Sequence, residues 1–523
     1  MPTLAWIGKE KVINHHRDVP FKILEHKYGF SDKDGETNVP VNSGNMIIHG
    51  DNLEALKSLL PEYEGRIKCI YIDPPYNTGN ENWIYNDNVK SSKINKWLNQ
   101  VVNSDDLAKH DKWLCMMYPR IKLLDKLLAK DGVLLISIGD DEIQNLILIC
   151  NEIFGEKRHE ATFVWKSRTK PTNAGNAKYR PQKVTEYILL YSKSSNLLFN
   201  TLTGEDNYSY PNEDEDGKYR TTTILTSNLG SYKRETMRFE IAGYTPPSGQ
   251  RWKAGEEIIT ELYNTNRLQF KDGVPMQKVY DYDVDEINNP LYTLIRQDLS
   301  GTAESGKTLL NKIIGIGHGF DTVKPLELIS YLLEVFTKKD SIVLDSFAGT
   351  GTSAHAVLNR NIVDEGSRQF ILIEMEDYAN SITAERVKKV INGYGDNEGT
   401  GGSFDYFELG KPMFIGENKE SLNEEVDLTK IREYIWYSET RAAFIPPDPT
   451  KDTSYFLGKK EGTAHYFIYE KDSLTTLDYD TLSTIRTKAG QYVIYADNCL
   501  LPKDFMLKKN IVFKKIPRDV TRF

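Results

Sequence analysis

Two hydrophobic rhythms alternate along the first half of the chain. Met46-Ile47-Ile48-His49 is a short apolar run that closes in Gly50-Asp51, and Leu53, Leu56, Leu59 and Leu60 then recur at the spacing of one helix face. Ile67–Ile72 is β-rich and runs into Asp73-Pro74-Pro75-Tyr76. After a polar stretch from Asn77 to about Lys112, the positions Leu114, Met117, Ile121, Leu124 and Leu128 mark a second helix. Gly132–Ile138 reads as a buried strand, Ile143–Phe154 as a helix, and Phe163–Trp165 and Tyr187–Tyr191 as further strands. The rhythm fades over residues 195–310, which are rich in Thr, Tyr, Asn and Gly, and then resumes. A helix over Pro325–Phe336, a strand at Ile342–Leu344, a Gly-rich turn, a helix over Ala354–Asn359, the strand Phe370–Ile373 and a helix near Ser381–Ile391 follow. Strands that alternate with helices predict βαβ units and an α/β, mostly parallel sheet. Residues 1–45 read as a polar lead-in arm, residues 392–403 as a flexible Gly-rich linker, and residues 404–523 as a smaller, separate α/β domain.

Composition narrows the classes. A length of 523 residues suggests two to four domains, and 39% hydrophobic with 27% charged residues is ordinary for a globular chain. No apolar run is long enough to span a membrane, and the start lacks the apolar core of a secretory signal. Cys69, Cys115, Cys150 and Cys499 are widely spaced, form no metal-ligand pair and fit a reduced, cytoplasmic setting, so no metal is expected. The net charge of −9 argues against a uniformly basic nucleic-acid binder but leaves a locally basic groove open.

Two turns carry chemistry. In Ile342-Val-Leu-Asp345-Ser-Phe347-Ala-Gly349-Thr-Gly351-Thr352 a strand runs into a Gly-rich turn and then a helix, and glycines let backbone approach a ligand closely. About twenty residues later the next strand ends in Glu374, where an acid can bond ribose hydroxyls. Together they point to a nucleoside-containing cofactor, and the spacing departs from that of nicotinamide-binding turns. Alone, such a turn also serves as a ligand-free strand-to-helix connection. The second turn is Asp73-Pro74-Pro75-Tyr76. Two prolines stiffen it and remove N–H donors. An Asp carboxylate beside a prolyl carbonyl offers two acceptors to an NH2 group, and Tyr76 offers a flat face to a base, worth about 1–3 kcal/mol of stacking.

These turns resemble those of the DNA amino-methyltransferases, with the order catalytic turn, variable region, cofactor turn of the β group. The resemblance implies a circularly permuted Rossmann-like sheet that binds S-adenosylmethionine, made from residues 46–194 and 311–391, with residues 195–310 as an inserted target-recognition region. It implies that Asp345, Phe347, Gly349, Gly351 and Thr352 line the cofactor site, that Glu374 takes the ribose and that Asp51 sits by the cofactor adenine. Lys324-Pro325, in Phe320-Asp-Thr-Val-Lys-Pro, would meet the methionine end. The chain is similar above all to the modification (Mod) subunits of type III restriction-modification systems. Asp73-Pro-Pro-Tyr-Asn-Thr-Gly79, Trp83-Ile-Tyr85-Asn-Asp-Asn88 and His110-Asp-Lys-Trp113, with Met117 and Arg120, resemble their catalytic region. The implied activity is methylation of N6 of a flipped adenine in double-stranded DNA, with Asp73, Pro74, Pro75 and Tyr76 as the catalytic turn. The C-terminal segment is expected to form a homodimer or to dock a restriction (Res) helicase-nuclease subunit.

Residues 163–183 hold Lys166, Arg168, Lys170, Lys178, Arg180 and Lys183 without an acid, interleaved with Phe163, Trp165 and Tyr179, which suits a phosphate backbone and an extruded base. Gly301-Thr-Ala-Glu-Ser-Gly306-Lys307-Thr308 fits the phosphate-loop pattern letter for letter, but the surrounding elements of such a site are missing. N4-cytosine methylation, a non-catalytic DNA-specificity subunit and an ATPase are the alternatives to adenine methylation.

Overall fold

The computed structural model describes residues 3–78, 109–170, 179, 181–195, 197–200, 202–204, 209–230, 233–283, 287–289, 291–416, 421–442, 444–448, 450–517 and 519–520. The chain divides into two compact units, Thr201–Leu291 and the remainder.

The larger unit is built on an eleven-stranded sheet. Its strands are β1 (Lys22–Ser31), β2 (Gly35–Thr37), β3 (Met46–His49), β4 (Ile67–Ile72), β5 (Leu128–Ile138), β6 (His159–Trp165), β7 (Glu186–Ser192), β8 (Leu294–Ile295), β9 (Ile342–Asp345), β10 (Gln369–Glu374) and β11 (Ser403–Pro412). Their order is β8-β6-β7-β5-β4-β9-β10-β3-β11-β1-β2. The central run from β5 to β11 is parallel throughout, while β7 and β1 run antiparallel to their neighbours. Continuous apolar stretches form these central strands because both faces are covered: Cys69, Ile70 and Ile72 of β4 and Phe370–Ile373 of β10 are fully buried.

Two sets of helices supply the cover. Asn52–Tyr63, Lys109–Leu127 and Ile143–Phe154 pack in sequence, and Ala303–Ile314, Leu326–Phe336, Thr352–Asp364 and Glu385–Asn392 form a second set. The expected elements of the sheet domain are therefore all present, with ends shifted by a few residues.

The flanking segments differ from expectation. The lead-in arm contributes β1, which pairs antiparallel with β11 along nearly its whole length. The supposed linker contains a hairpin pairing Gly393-Tyr394 with Asn397-Glu398, and the stretch expected to open a separate domain is β11, hydrogen-bonded parallel to β3. Alternation places Phe404 and Tyr406 of β11 in the buried interior, so adding this strand to the sheet removes apolar surface from water, which an isolated strand cannot do. Beyond it, Leu428–Thr440 packs on Asn52–Tyr63, and Tyr434, Ile435 and Tyr437 join the main core. Phe456–Lys460, Thr463–Phe467, Gln491–Ala496 and Ile511–Lys515 form a four-stranded sheet, the last three strands parallel.

The smaller unit has a four-stranded antiparallel sheet, Leu268–Lys271, Val274–Tyr280, Gly217–Thr223 and Asn212–Asp214, and a core around the fully buried Trp252. Arg267 grips both oxygens of Asp283 at 2.7 Å, and its guanidinium lies 5.2 Å from the centre of the Tyr280 ring.

Candidate active site

Parallel strands end at the same edge of a sheet, and ligands of open α/β sheets bind outside those carboxyl ends. Here β4 ends before Asp73, β9 ends at Asp345 and β10 at Glu374. Register sets Val343 against Cys69 and Leu344 against Ile70, so the Asp-Pro-Pro-Tyr turn and the Gly-rich turn are neighbours despite their distance along the chain. One cavity is lined by Asp73, Pro74 and Tyr76 on one side and by Lys324, Asp345, Phe347, Gly349 and Thr352 on the other.

The first turn is held from behind. Trp113, fully buried, donates its indole N–H to the Pro75 carbonyl at 2.7 Å, so Pro75 faces the helix while Pro74 lines the cavity. Gly139 leaves room for the Tyr76 ring: a Cβ there would stand 3.0 Å from Cδ2 of Tyr76. Asn77 follows with φ of 61°, a left-handed conformation that Asn tolerates, and its amide donates to the Lys109 carbonyl and to the buried Glu142 carboxylate. Glu142 also bonds His110 Nδ1 at 2.7 Å, so Asn77 and His110 share one carboxylate.

Lys324 sits at the centre. Its Nζ lies 2.9 Å from Asp73 Oδ2, 3.3 Å from Glu186 Oε2 and 3.0 Å from the Tyr76 hydroxyl, and it stands over the Tyr76 and Trp165 rings. The Tyr76 hydroxyl donates to Glu186 Oε2 at 2.9 Å. Burial alone would weaken the lysine ammonium, but the two carboxylates outweigh it and hold its pKa above the ordinary lysine value. Burial raises the Asp73 pKa, with Lys324 opposing the rise.

The Gly-rich turn is braced by acids. Asp345 accepts from the Phe347 N–H at 3.0 Å and the Ser353 hydroxyl at 2.5 Å. Glu374 accepts from the Gly349 N–H at 2.8 Å and the Glu376 N–H at 2.9 Å. Burial pushes both carboxyl groups up to about 7. Gly349 and Gly351 have φ of 52° and 77°, and a Cβ on Gly351 would come 3.2 Å from the Thr383 carbonyl oxygen. The bare, left-handed turn is a cradle that fits a nucleoside cofactor, and Glu374 retains acceptor capacity beyond the two backbone bonds it makes.

Other expected residues stand behind the wall. Asp51 caps Asn52–Tyr63, accepting from Leu53 and Glu54 N–H, and its second oxygen is 3.4 Å from the buried Arg120. Pro325 precedes Leu326–Phe336 as its N-cap, and Pro325, Gly351 and Glu374 are not among the lining residues. Of the basic stretch, Lys166 and Lys170 are exposed and Arg168 lines the cavity, while Lys178 and Arg180, like Gly79, Trp83, Tyr85 and Asn88, lie outside the described residues. Phe163 and Trp165 are core side chains of β6 rather than exposed stacking surfaces, because they point inward on alternate positions; Trp165 reaches the cavity from there and donates to the Gly301 carbonyl. Cys69 is interior, and burial pushes its thiol up to about 12.

The phosphate-loop match is a helix. Ala303–Ile314 contains Gly306, Lys307 and Thr308, and Thr302 with Ser305 forms its capping box. Gly306 is demanded by packing, since a Cβ would stand 2.2 Å from the Val323 carbonyl oxygen, and Lys307 pairs with Asp321. Phe320, which opens the Phe320-Asp-Thr-Val-Lys-Pro stretch, lines the cavity, and so does Glu186, which the sequence did not single out. The only linear trace of Glu186 is a charge at the head of an apolar strand.

A parallel Rossmann-like sheet with a Gly-rich turn at its carboxyl edge, facing a second turn rich in hydrogen-bond acceptors, defines a methyltransferase-type α/β fold. A model of the DNA methylase family matches residues 67–385, and the chain belongs to that family. The StyLTI Mod subunit of a type III restriction-modification enzyme from Salmonella typhimurium is 33% identical over 367 residues, 65% of this chain and 54% of its own. The EcoP15I Mod subunit from Escherichia coli is 30% identical over 503 residues, covering 85% and 71%. The EcoPI Mod subunit of Escherichia phage P1 is 30% identical over 386 residues, and the chain spans 58% of it, so the match covers little more than half of the length of the StyLTI and EcoPI subunits. Among solved structures, the PvuII DNA methyltransferase (cytosine-N4-specific) aligns at 15% identity with a TM-score of 0.36, covering 65% of this chain and 86% of that one.

Proposed function

We propose that the chain transfers a methyl group from S-adenosylmethionine to N6 of an adenine flipped out of double-stranded DNA. The observation that carries this reading is the single cavity in which Asp73, Pro74 and Tyr76 face the Gly-rich turn. When bound, the cofactor supplies an electrophilic methyl group on a sulfonium. Asp345, Phe347, Gly349, Gly351, Thr352 and Glu374 would hold it. The Asp73 carboxylate and the Pro74 carbonyl accept the two amine hydrogens of the base and aim its lone pair. Tyr76 offers the stacking face, with its hydroxyl anchored on Glu186. The amine becomes acidic only as the methyl arrives, so Asp73 takes its proton without being a strong base. Lys324, paired with Asp73, favours the ionised form of that carboxylate against its burial. Catalysis is then positioning and electrostatics at the amine.

The same reading makes the chain the modification subunit of a type III system, with residues 195–310, which include the compact Thr201–Leu291 unit, choosing the sequence, Lys166, Arg168 and Lys170 meeting DNA, and a homodimer that docks a restriction subunit. The names of its relatives and the extent of the match support this. Expression of the chain beside an Asp73→Ala control, followed by modification-sensitive sequencing of host DNA, tests it. N6-methyladenine at one short motif, absent in the control, is the expected result. N4-methylcytosine would overturn the choice of base, and an unmodified genome the activity.

A further inference from the structure

Arg386 is fully buried, and among the described residues it makes no ion pair. Its Nη1 donates to the Thr350 hydroxyl at 2.9 Å and the Thr352 hydroxyl at 2.8 Å, its Nη2 reaches His355 Nδ1 at 3.3 Å, and its Nε meets no acceptor. His355 does not neutralise it, because burial and Arg386 itself hold that imidazole far below its ordinary pKa. A buried cation without an anion is costly, and removing it from water weakens the charged form. Burial lowers the Arg386 pKa to about 10, which still leaves it charged at neutral pH.

Thr350 and Thr352, whose hydroxyls receive the guanidinium, are both lining residues of the cavity. Thr352 also opens the helix Thr352–Asp364, whose first turn has no side-chain cap, so backbone N–H groups and helix dipole favour negative charge at the same place. A hydroxyl that accepts from an arginine keeps its own hydrogen to donate; that of Thr352 points to the Lys324 carbonyl at 3.4 Å, a long bond that a ligand oxygen can replace.

On the reading that the cavity takes S-adenosylmethionine, we infer that Arg386 acts through Thr350 and Thr352 as the counter-charge for the carboxylate of the cofactor's amino-acid end. It is a positioning residue that never touches the ligand. The ligand carboxylate supplies the anion that the protein lacks there, and low local screening keeps the interaction strong across the hydroxyl layer.

Binding of two adenosine ligands to the full chain distinguishes this role from a structural one. S-adenosylhomocysteine carries the carboxylate, and 5′-methylthioadenosine lacks it. Arg386→Gln is expected to weaken S-adenosylhomocysteine about tenfold or more, the scale of a hydrogen bond to a charged group, and to leave 5′-methylthioadenosine unchanged in calorimetry. Equal loss of both ligands, or loss of neither, overturns the inference. If Arg386→Gln does not fold, Thr350→Val with Thr352→Val removes the relay while keeping the arginine, and the same selective loss decides. A wild-type chain that binds neither ligand would instead sink the cofactor reading, and this inference with it.

Discussion

Lys324 Nζ lies 2.9 Å from Asp73 Oδ2, joining the segment before the Gly-rich turn to the turn after β4. Glu186 shares the same ammonium at 3.3 Å, so one cation serves two carboxylates in a cavity. Removing it would leave two like charges together, and one would take up a proton. Lys324→Met is therefore expected to raise the Asp73 pKa further. Single-turnover methylation should fall near neutral pH and recover as pH rises, with the profile displaced upward by about one to two units. An unshifted profile would separate Lys324 from the ionisation of Asp73.

Trp113 holds the Pro75 carbonyl from the core side at 2.7 Å. Trp113→Phe keeps an aromatic ring but leaves that buried carbonyl without its donor, at a cost of about 1–3 kcal/mol. Chemical denaturation should show that loss. Methylation should fall, while binding of S-adenosylhomocysteine, which rests on the other turn, should stay close to wild type.

Asp345 is buried with its pKa raised to about 7, against an ordinary 3.8. Between those values the folded state holds a proton that the unfolded chain has lost. Its contribution to stability is thus greatest below about 4 and declines as pH rises towards 7. Asp345→Asn keeps a side chain able to bond the Phe347 N–H and removes this dependence. The difference in unfolding free energy, variant against wild type, should move in the variant's favour by roughly 2–4 kcal/mol from low to neutral pH. A constant difference would contradict the raised pKa.

Gly306 and Lys307 belong to the same sequence pattern and should behave oppositely. A Cβ at 306 would press on the Val323 carbonyl at 2.2 Å, displacing the backbone that carries Lys324. Gly306→Ala is expected to cost about 1–3 kcal/mol and to reduce methylation. Lys307, in an exposed pair with Asp321, should tolerate Ala at a cost below about 1 kcal/mol with activity retained. Nucleotide hydrolysis lost in Lys307→Ala would revive the phosphate-binding reading.

Local pattern was enough for the elements of the sheet domain and for both turns. The periodicity of Leu53 to Leu60, the apolar run Phe370–Ile373 and the glycines at 349 and 351 each state their conformation through neighbours in sequence. Such signals act within a few residues, which is why they are legible in one dimension. Tertiary structure decided what depends on pairing between distant segments. It placed β11 and β1 in the main sheet between β3 and the edge strand β2, where burying Phe404 and Tyr406 outweighs the look of a linker and a new domain. It turned a perfect phosphate-loop match into a capped helix, because Thr302 and Ser305 satisfy its first turn and Gly306 must pass close to Val323. It also gathered Lys324 and Glu186 around Asp73 and set Arg386 beneath Thr350 and Thr352. Charge placement inside a cavity follows from strand register and helix packing, and neither is written in the spacing of the charged residues themselves.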